Sequence, residues 1–170
     1  MNLKKISSKT GIKESDKCDG YLIQSSESEA RKIIASLKDK SQKKIIALIG
    51  GEDNRRAVET LKINYLVSPE KGNKKDTLKQ RDSGLNHVVA KEAAKRNIPI
   101  VIDFDEIKSL KGKAKALRLE KIIQNIKICR RAKCQIKIWD LSNNTDDIAL
   151  KAFGTSLGMS SVQAADSIKL

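Results

Sequence analysis

Ile45-Ile46-Ala47-Leu48-Ile49-Gly50-Gly51 is the stretch that decides the fold of this chain. Five consecutive apolar residues that end in two glycines are typical of a strand that is buried on both faces and stops at a turn. Such strands occur in parallel sheets covered by helices, where strands and helices alternate along the sequence. The run therefore predicts an α/β protein.

The segments on either side continue this alternation. A closed eight-stranded barrel needs about 200–250 residues, so the 170 residues of this chain predict an incomplete barrel or an open, mostly parallel sheet. Residues 1–17 are polar and contain no recognisable strand; we expect them to be loosely ordered, ahead of a single domain over residues 18–170. The other predicted strands are 20–23, 64–67, 98–102 and 135–139, and the predicted helices are 25–40, 54–62, 84–96, 114–132, 146–153 and 161–168, with a turn over 105–113.

Positive charge is concentrated in two segments of the chain. The sequence has 35 Lys and Arg against 21 Asp and Glu, a formal net charge of +14. Residues 71–96 hold eight basic against three acidic residues, and residues 108–133 hold ten against one. Such an excess favours nucleic acid, an anionic membrane or an acidic protein as the partner. No apolar run is long enough to span a bilayer, and the polar start predicts no secretion signal, so we expect a cytoplasmic protein.

The residues that could carry chemistry are few. The single histidine, His87, excludes histidine-rich metal clusters, and no second base is present for a Ser-His-Asp arrangement. Asp103, Asp105 and Glu106 follow a strand end, where they could hold Mg²⁺, but Asp103 and Asp105 equally suit the cap of a following helix. The three cysteines match no zinc or redox motif, which fits reduced thiols. The sequence therefore predicts no catalytic residue, bound metal or cofactor in the protein.

The basic segments are better interpreted as a surface for folded RNA. Aromatic residues form only 3% of the chain, so contact with phosphates fits better than stacking on bases. Asp82 or Ser83 is predicted to cap the helix that follows, and Arg118 and Arg130 are expected to extend from an apolar helix stripe into solvent. His87 faces either RNA or a contact between helices. The candidate RNA-binding residues are Lys79, Arg81, His87, Lys91, Arg96, Lys115, Arg118, Lys121, Arg130 and Arg131.

The stretches Arg81-Asp82-Ser83-Gly84-Leu85-Asn86-His87-Val88-Val89-Ala90-Lys91 and Ala94-Lys95-Arg96-Asn97-Ile98-Pro99-Ile100 resemble ribonuclease P protein component 3 in its archaeal form. Supporting similarity extends over residues 44–168. The resemblance implies an incomplete TIM-barrel-like fold and a protein subunit of the ribonucleoprotein that removes 5′ leaders from precursor tRNA. It further implies that the RNA, with Mg²⁺, is the catalyst, and that the partners are this RNA, protein component 2 and other protein subunits.

The chain departs from the family pattern at three places. Gln80 stands where the family has a basic residue, and Asp146-Asp147-Ile148 stands where it has Arg-Asp-Leu. The N-terminal strand of the family is not recognisable in residues 1–17. Two other hypotheses stay open at this point: a metal-dependent barrel phosphoesterase that uses the carboxylates at 103, 105 and 106, and a basic scaffold protein of another ribonucleoprotein.

Overall fold

The computed structural model describes residues 2–12, 17–38, 44–72, 82–142 and 144–169. In this part of the chain, six strands form one parallel sheet with the order β1-β2-β3-β4-β5-β6. The strands are β1 (Leu3–Ile6), β2 (Gly20–Ile23), β3 (Ile45–Ile49), β4 (Tyr65–Val67), β5 (Ile100–Asp103) and β6 (Ile136–Trp139). The helices are α1 (Glu27–Lys38), α2 (Asn54–Thr60), α3 (His87–Lys95), α4 (Phe104–Ser109), α5 (Gly112–Ala132), α6 (Asp147–Ser156) and α7 (Ser161–Ser167).

The two faces of the sheet are buried in different ways. On one face, strand residues such as Ile23 and Ile100 pack against the helices in the main hydrophobic core. On the other face, strand side chains pack mainly against one another, in a second cluster that includes Val67 and Trp139. The rings of Tyr65 and Trp139 lie 4.7 Å apart between centroids, although β5 separates their strands. Strands two positions apart are normally about 9.6 Å from each other, so the side chains converge over β5 as they do inside a barrel.

This architecture confirms the predicted fold class, an α/β protein with an incomplete TIM-barrel-like sheet. The apolar run at 45–49 is the buried strand β3, β2 has the predicted bounds 20–23, and the other predicted strands and helices are present with shifted ends. Sequential strands are neighbours throughout the sheet, and their carboxyl ends meet at one edge. Loops that follow the strands are therefore gathered at that edge.

Two elements differ from the predictions: one strand was not predicted, and one helix was expected only as the element that Asp103 or Asp105 would cap. The sequence analysis recognised no strand within residues 1–17, yet β1 pairs with β2 from Leu3 to Ile6. Two lysines in this edge strand dilute its apolar pattern, and the buried Ile6 lies in register with Ile23, seventeen residues away. The segment 105–113, predicted as a turn, begins with helix α4. Asp103 caps that helix by accepting a hydrogen bond from the Glu106 backbone N–H at 3.1 Å.

No helix in the described ranges has the length and apolar character required to cross a membrane.

Candidate nucleic-acid interface

Helix α3 begins at His87 and is capped by Asn86. The Asn86 Oδ1 accepts a hydrogen bond from the Val89 backbone N–H at 2.9 Å, so the prediction that Asp82 or Ser83 caps this helix is wrong. Asp82 instead accepts a hydrogen bond from the Gly84 backbone N–H at 2.8 Å. Gly84 has a φ of 77°, which is outside the right-handed helical region, and the helix therefore starts three residues later than predicted.

The loop before α3 is fixed by Asn54, a buried residue at the start of α2. Its Nδ2 donates to the backbone oxygens of Pro69 at 2.8 Å and Gly84 at 2.9 Å. Its Oδ1 accepts from the Gly51 N–H at 2.7 Å. One amide side chain thus joins the ends of β3 and β4 to residues 82–86, and this short segment before α3 is held at the carboxyl edge of the sheet.

A second buried contact ties this loop to α5. Asn125 is 2% exposed, and its Nδ2 donates to Ser83 O at 3.1 Å and to Glu70 Oε2 at 3.3 Å. Burial raises the pKa of Glu70 to about 7, although nearby Arg118 and Lys71 oppose the shift. Neither Asn54 nor this Glu70–Asn125 pair was predicted from the sequence. No local signal marks them, because each contact joins segments that lie far apart in the sequence.

Three of the predicted RNA-binding residues lie beside the contact between α3 and α5. Among the described residues, this pair of helices and the pair α6 and α7 are the most extensively packed. His87 and Lys91 are exposed and are four residues apart, so they share one face of α3. Lys121 is half-buried and lies one turn before Asn125, on the side of α5 that faces the loop before α3. Because α3 packs against α5, helix spacing places His87 and Lys91 of α3 and Lys121 of α5 along the contact between these helices, and we call this the α3–α5 surface.

Arg96 points away from this surface. Its Nη1 donates to Val58 O of α2 at 2.8 Å, and its Nε lies 3.1 Å from Glu92 Oε1. These contacts give the guanidinium a structural role at the α2–α3 contact while it remains partly exposed. Its predicted contact with RNA stays a prediction.

Arg118 lies at the carboxyl edge of the sheet and does not extend freely into solvent as expected. Its side chain is 19% exposed and its Nη1 lies 3.0 Å from Glu106 Oε1, while Lys71 Nζ lies 2.8 Å from the other oxygen of that carboxylate. These three residues line a cavity of about 500 Å³ that also touches Gln24 and Gly50. Glu106 offsets much of the positive charge there.

Arg130 and Arg131 lie at the opposite end of α5, twelve and thirteen residues and therefore about 18–20 Å from Arg118 along the helix axis. Arg131 is exposed, and Arg130 donates to Gly158 O and to Gln163 Oε1. Lys115 is half-buried in the first turns of α5. The predicted basic residues on α5 therefore lie on several sides and at both ends of the helix, and the structure does not bring them together on one surface. Lys79 and Arg81 lie outside the described residues.

The three carboxylates considered for Mg²⁺ have separate partners. Asp103 caps α4, Asp105 binds Lys108 and Ser142, and Glu106 binds Lys71 and Arg118. In the described ranges, no group of three His, Cys, Asp or Glu residues is arranged to hold a metal ion. The structure therefore does not favour the phosphoesterase hypothesis.

These features define a class: an α/β protein with an unclosed parallel barrel and a basic surface on its outer helices. No protein-family model matches the sequence. A curated relative, ribonuclease P protein component 3 of Methanococcoides burtonii, is 28% identical over 121 residues, which cover 66% of this chain and 46% of the relative. The predicted resemblance to the component 3 family is thereby confirmed.

The fold has a counterpart among solved structures. A chain of the cryo-EM structure of archaeal ribonuclease P with mature tRNA matches with a TM-score of 0.66 and 24% identity, over 87% of this chain and 64% of that chain. At this level of identity the match shows a shared fold. The chain spans less than half the length of the curated relative and about two thirds of the solved chain.

Proposed function

We propose that this chain is a protein subunit of ribonuclease P, the ribonucleoprotein that removes the 5′ leader from precursor tRNA. The observation that carries the proposal is the sequence similarity to a component 3 protein, in a chain that shares its fold with part of an archaeal ribonuclease P. The α3–α5 surface fits this function, because lysines held on helices suit the phosphates of a folded RNA.

The proposal assigns catalysis to the RNA and support to the protein. The chain binds the catalytic RNA, and its protein partners are protein component 2 and other subunits. Precursor tRNA is the substrate of the assembled complex, and Mg²⁺ acts with the RNA. This arrangement agrees with the separate engagement of Asp103, Asp105 and Glu106 in caps and ion pairs. We place the complex in the cytoplasm.

Purification of the tagged chain from its native cells tests the proposal. We expect the catalytic RNA of ribonuclease P to copurify, and the purified complex to cleave the leader from precursor tRNA. Sequencing of the bound RNA and a cleavage assay on a labelled precursor tRNA are the measurements. The recovery of a different RNA, or of proteins without RNA after low-salt purification, would contradict the proposal and favour a scaffold role elsewhere.

A further inference from the structure

A basic pocket lies at the amino edge of the sheet, opposite the edge that carries the loop before α3. It occupies about 950 Å³ between the end of α5, the start of β6 and helix α7. Four of its lining residues are cationic: Arg130, Lys133, Lys137 and Lys169. We call this site the amino-edge pocket. Of its cations, the sequence analysis selected only Arg130.

The positive charge of the amino-edge pocket is poorly compensated. Arg130 donates to Gly158 O, and Lys137 donates to Asp166 O at 3.0 Å and Lys169 O at 2.7 Å, so both cations bind backbone carbonyls. Of the described residues in the lining, Asp166 alone is acidic, and it pairs with Lys169 at 2.8 Å. Among the described residues, no carboxylate lies within ion-pair distance of Lys133. Four cations against one carboxylate leave a net charge of +3.

The charge balance distinguishes this pocket from the cavity at the carboxyl edge. There, Lys71 and Arg118 share the carboxylate of Glu106 at 2.8 and 3.0 Å, so an anion would have to displace an existing ion pair. In the amino-edge pocket an anion would gain contacts with Lys133, which has no carboxylate partner among the described residues, and would compete only for the Lys169–Asp166 pair, whose side chains are 70% and 63% exposed and which is therefore weak. Electrostatics therefore favour an anionic ligand at the amino edge.

The floor of the amino-edge pocket is apolar. Ile136 and Met159 are 4% and 3% exposed and line it, and Val162 on its rim is 70% exposed. Apolar surface next to uncompensated cations suits a ligand that is itself part apolar and part anionic. A nucleotide has this composition, and a volume of about 950 Å³ is within the usual range of ligand pockets, about 300–1,000 Å³.

We infer that the amino-edge pocket holds a nucleotide of a single-stranded RNA segment, with its phosphates at Lys133 and Lys169 and its sugar and base edge against Met159 and Val162. This inference rests on the proposed function and extends it, because it gives the RNA a second contact about 20 Å along α5 from the carboxyl edge. The pocket and the α3–α5 surface would then hold two parts of one folded RNA.

The double variant Lys133→Gln/Lys169→Gln tests the inference in the full chain. Each cation that neutralises a phosphate of a single strand contributes about 0.7 to the slope of log Kobs against log salt. We expect the slope for archaeal ribonuclease P RNA transcribed in vitro to become shallower by about 1.4, with an unchanged melting temperature. Binding is measured by fluorescence anisotropy over a series of KCl concentrations.

The control is Lys32→Gln/Lys62→Gln, which removes the same charge on the α1–α2 side of the sheet. Lys32 pairs with Glu29 three residues away, as Lys169 pairs with Asp166, and Lys62 is exposed after a helix, as Lys133 is. An equal slope change in both double variants would overturn the inference and leave the proposed function standing. The inference would also be overturned if Lys133→Gln/Lys169→Gln bound RNA with an unchanged salt slope and lost a protein subunit from the reconstituted complex. Failure of the unaltered chain to bind this RNA would instead overturn the proposed function.

Discussion

At the scale of single residues, Gly84 shows why the loop before α3 needs glycine. Its φ is 77°, and a Cβ at this position would lie 1.9 Å from Pro69 O. Gly84→Ala should therefore lower the free energy of unfolding by more than the roughly 1–2 kcal/mol of left-handed backbone strain. Urea unfolding measures the effect.

Gly112 provides the matched control for this prediction. Its φ is 51°, but a Cβ there would meet nothing within 4 Å. Gly112→Ala should cost the backbone strain alone, about 1–2 kcal/mol. If the two variants lose the same stability, the contact with Pro69 is not what selects glycine at 84.

The buried carboxyl group of Glu70 should make the stability of the folded protein depend on pH. Burial raises its pKa from 4.5 to about 7 in the folded state. Between these values the folded protein keeps a proton that the unfolded chain releases, so the free energy of unfolding falls as pH rises from about 4.5 to 7. At about 1.4 kcal/mol per pKa unit, the loss amounts to about 3 kcal/mol.

Glu70→Gln isolates this contribution, because the amide has nearly the same shape and does not titrate. The variant should lose less stability than the unaltered chain between pH 5 and pH 8. Urea unfolding of both proteins at the two pH values gives the difference. Parallel curves for the two proteins would show that Glu70 does not carry the proton.

At the scale of elements, the contact between α3 and α5 predicts which cations act on RNA. Lys91→Gln/Lys121→Gln should weaken RNA binding and flatten its salt dependence by about 1.4 to 1.8, because both cations lie on the α3–α5 surface. The melting temperature should change little, since Lys91 is exposed and, within the described ranges, neither lysine forms an ion pair.

Arg96→Ala is the informative comparison on the same helix. Loss of the hydrogen bond to Val58 O should lower the free energy of unfolding by about 1 kcal/mol. If Arg96→Ala flattens the salt dependence more than the double lysine variant does, the RNA lies on the α2 side of α3 and the α3–α5 surface is wrongly placed.

The elements also show how far local sequence determines this structure. The apolar run at β3 and the helical spacing in α5 were sufficient to predict both elements and the fold class. β1 could not be predicted, because its burial depends on pairing with β2 seventeen residues away. The role of Asn125 could not be predicted either, because its contacts are with Ser83 and Glu70, which are 42 and 55 residues away.

At the scale of the whole molecule, the strongest prediction concerns the division of labour between protein and RNA. In the described ranges the candidate carboxylates form caps and ion pairs, and the basic residues lie along helices. The isolated chain should therefore not cleave precursor tRNA in Mg²⁺. Added to archaeal ribonuclease P RNA with the other protein subunits, it should raise the rate of leader removal over the same mixture without it.

A cleavage assay on 5′-labelled precursor tRNA, with and without the chain, measures this rate. EDTA should abolish cleavage by the complex, whereas RNA binding by the chain alone should persist, because attraction between basic side chains and phosphates needs no metal. The Lys32→Gln/Lys62→Gln protein should stimulate as well as the unaltered chain. Metal-dependent cleavage by the protein in the absence of the RNA would reverse the assignment, and would direct attention back to Asp103, Asp105 and Glu106.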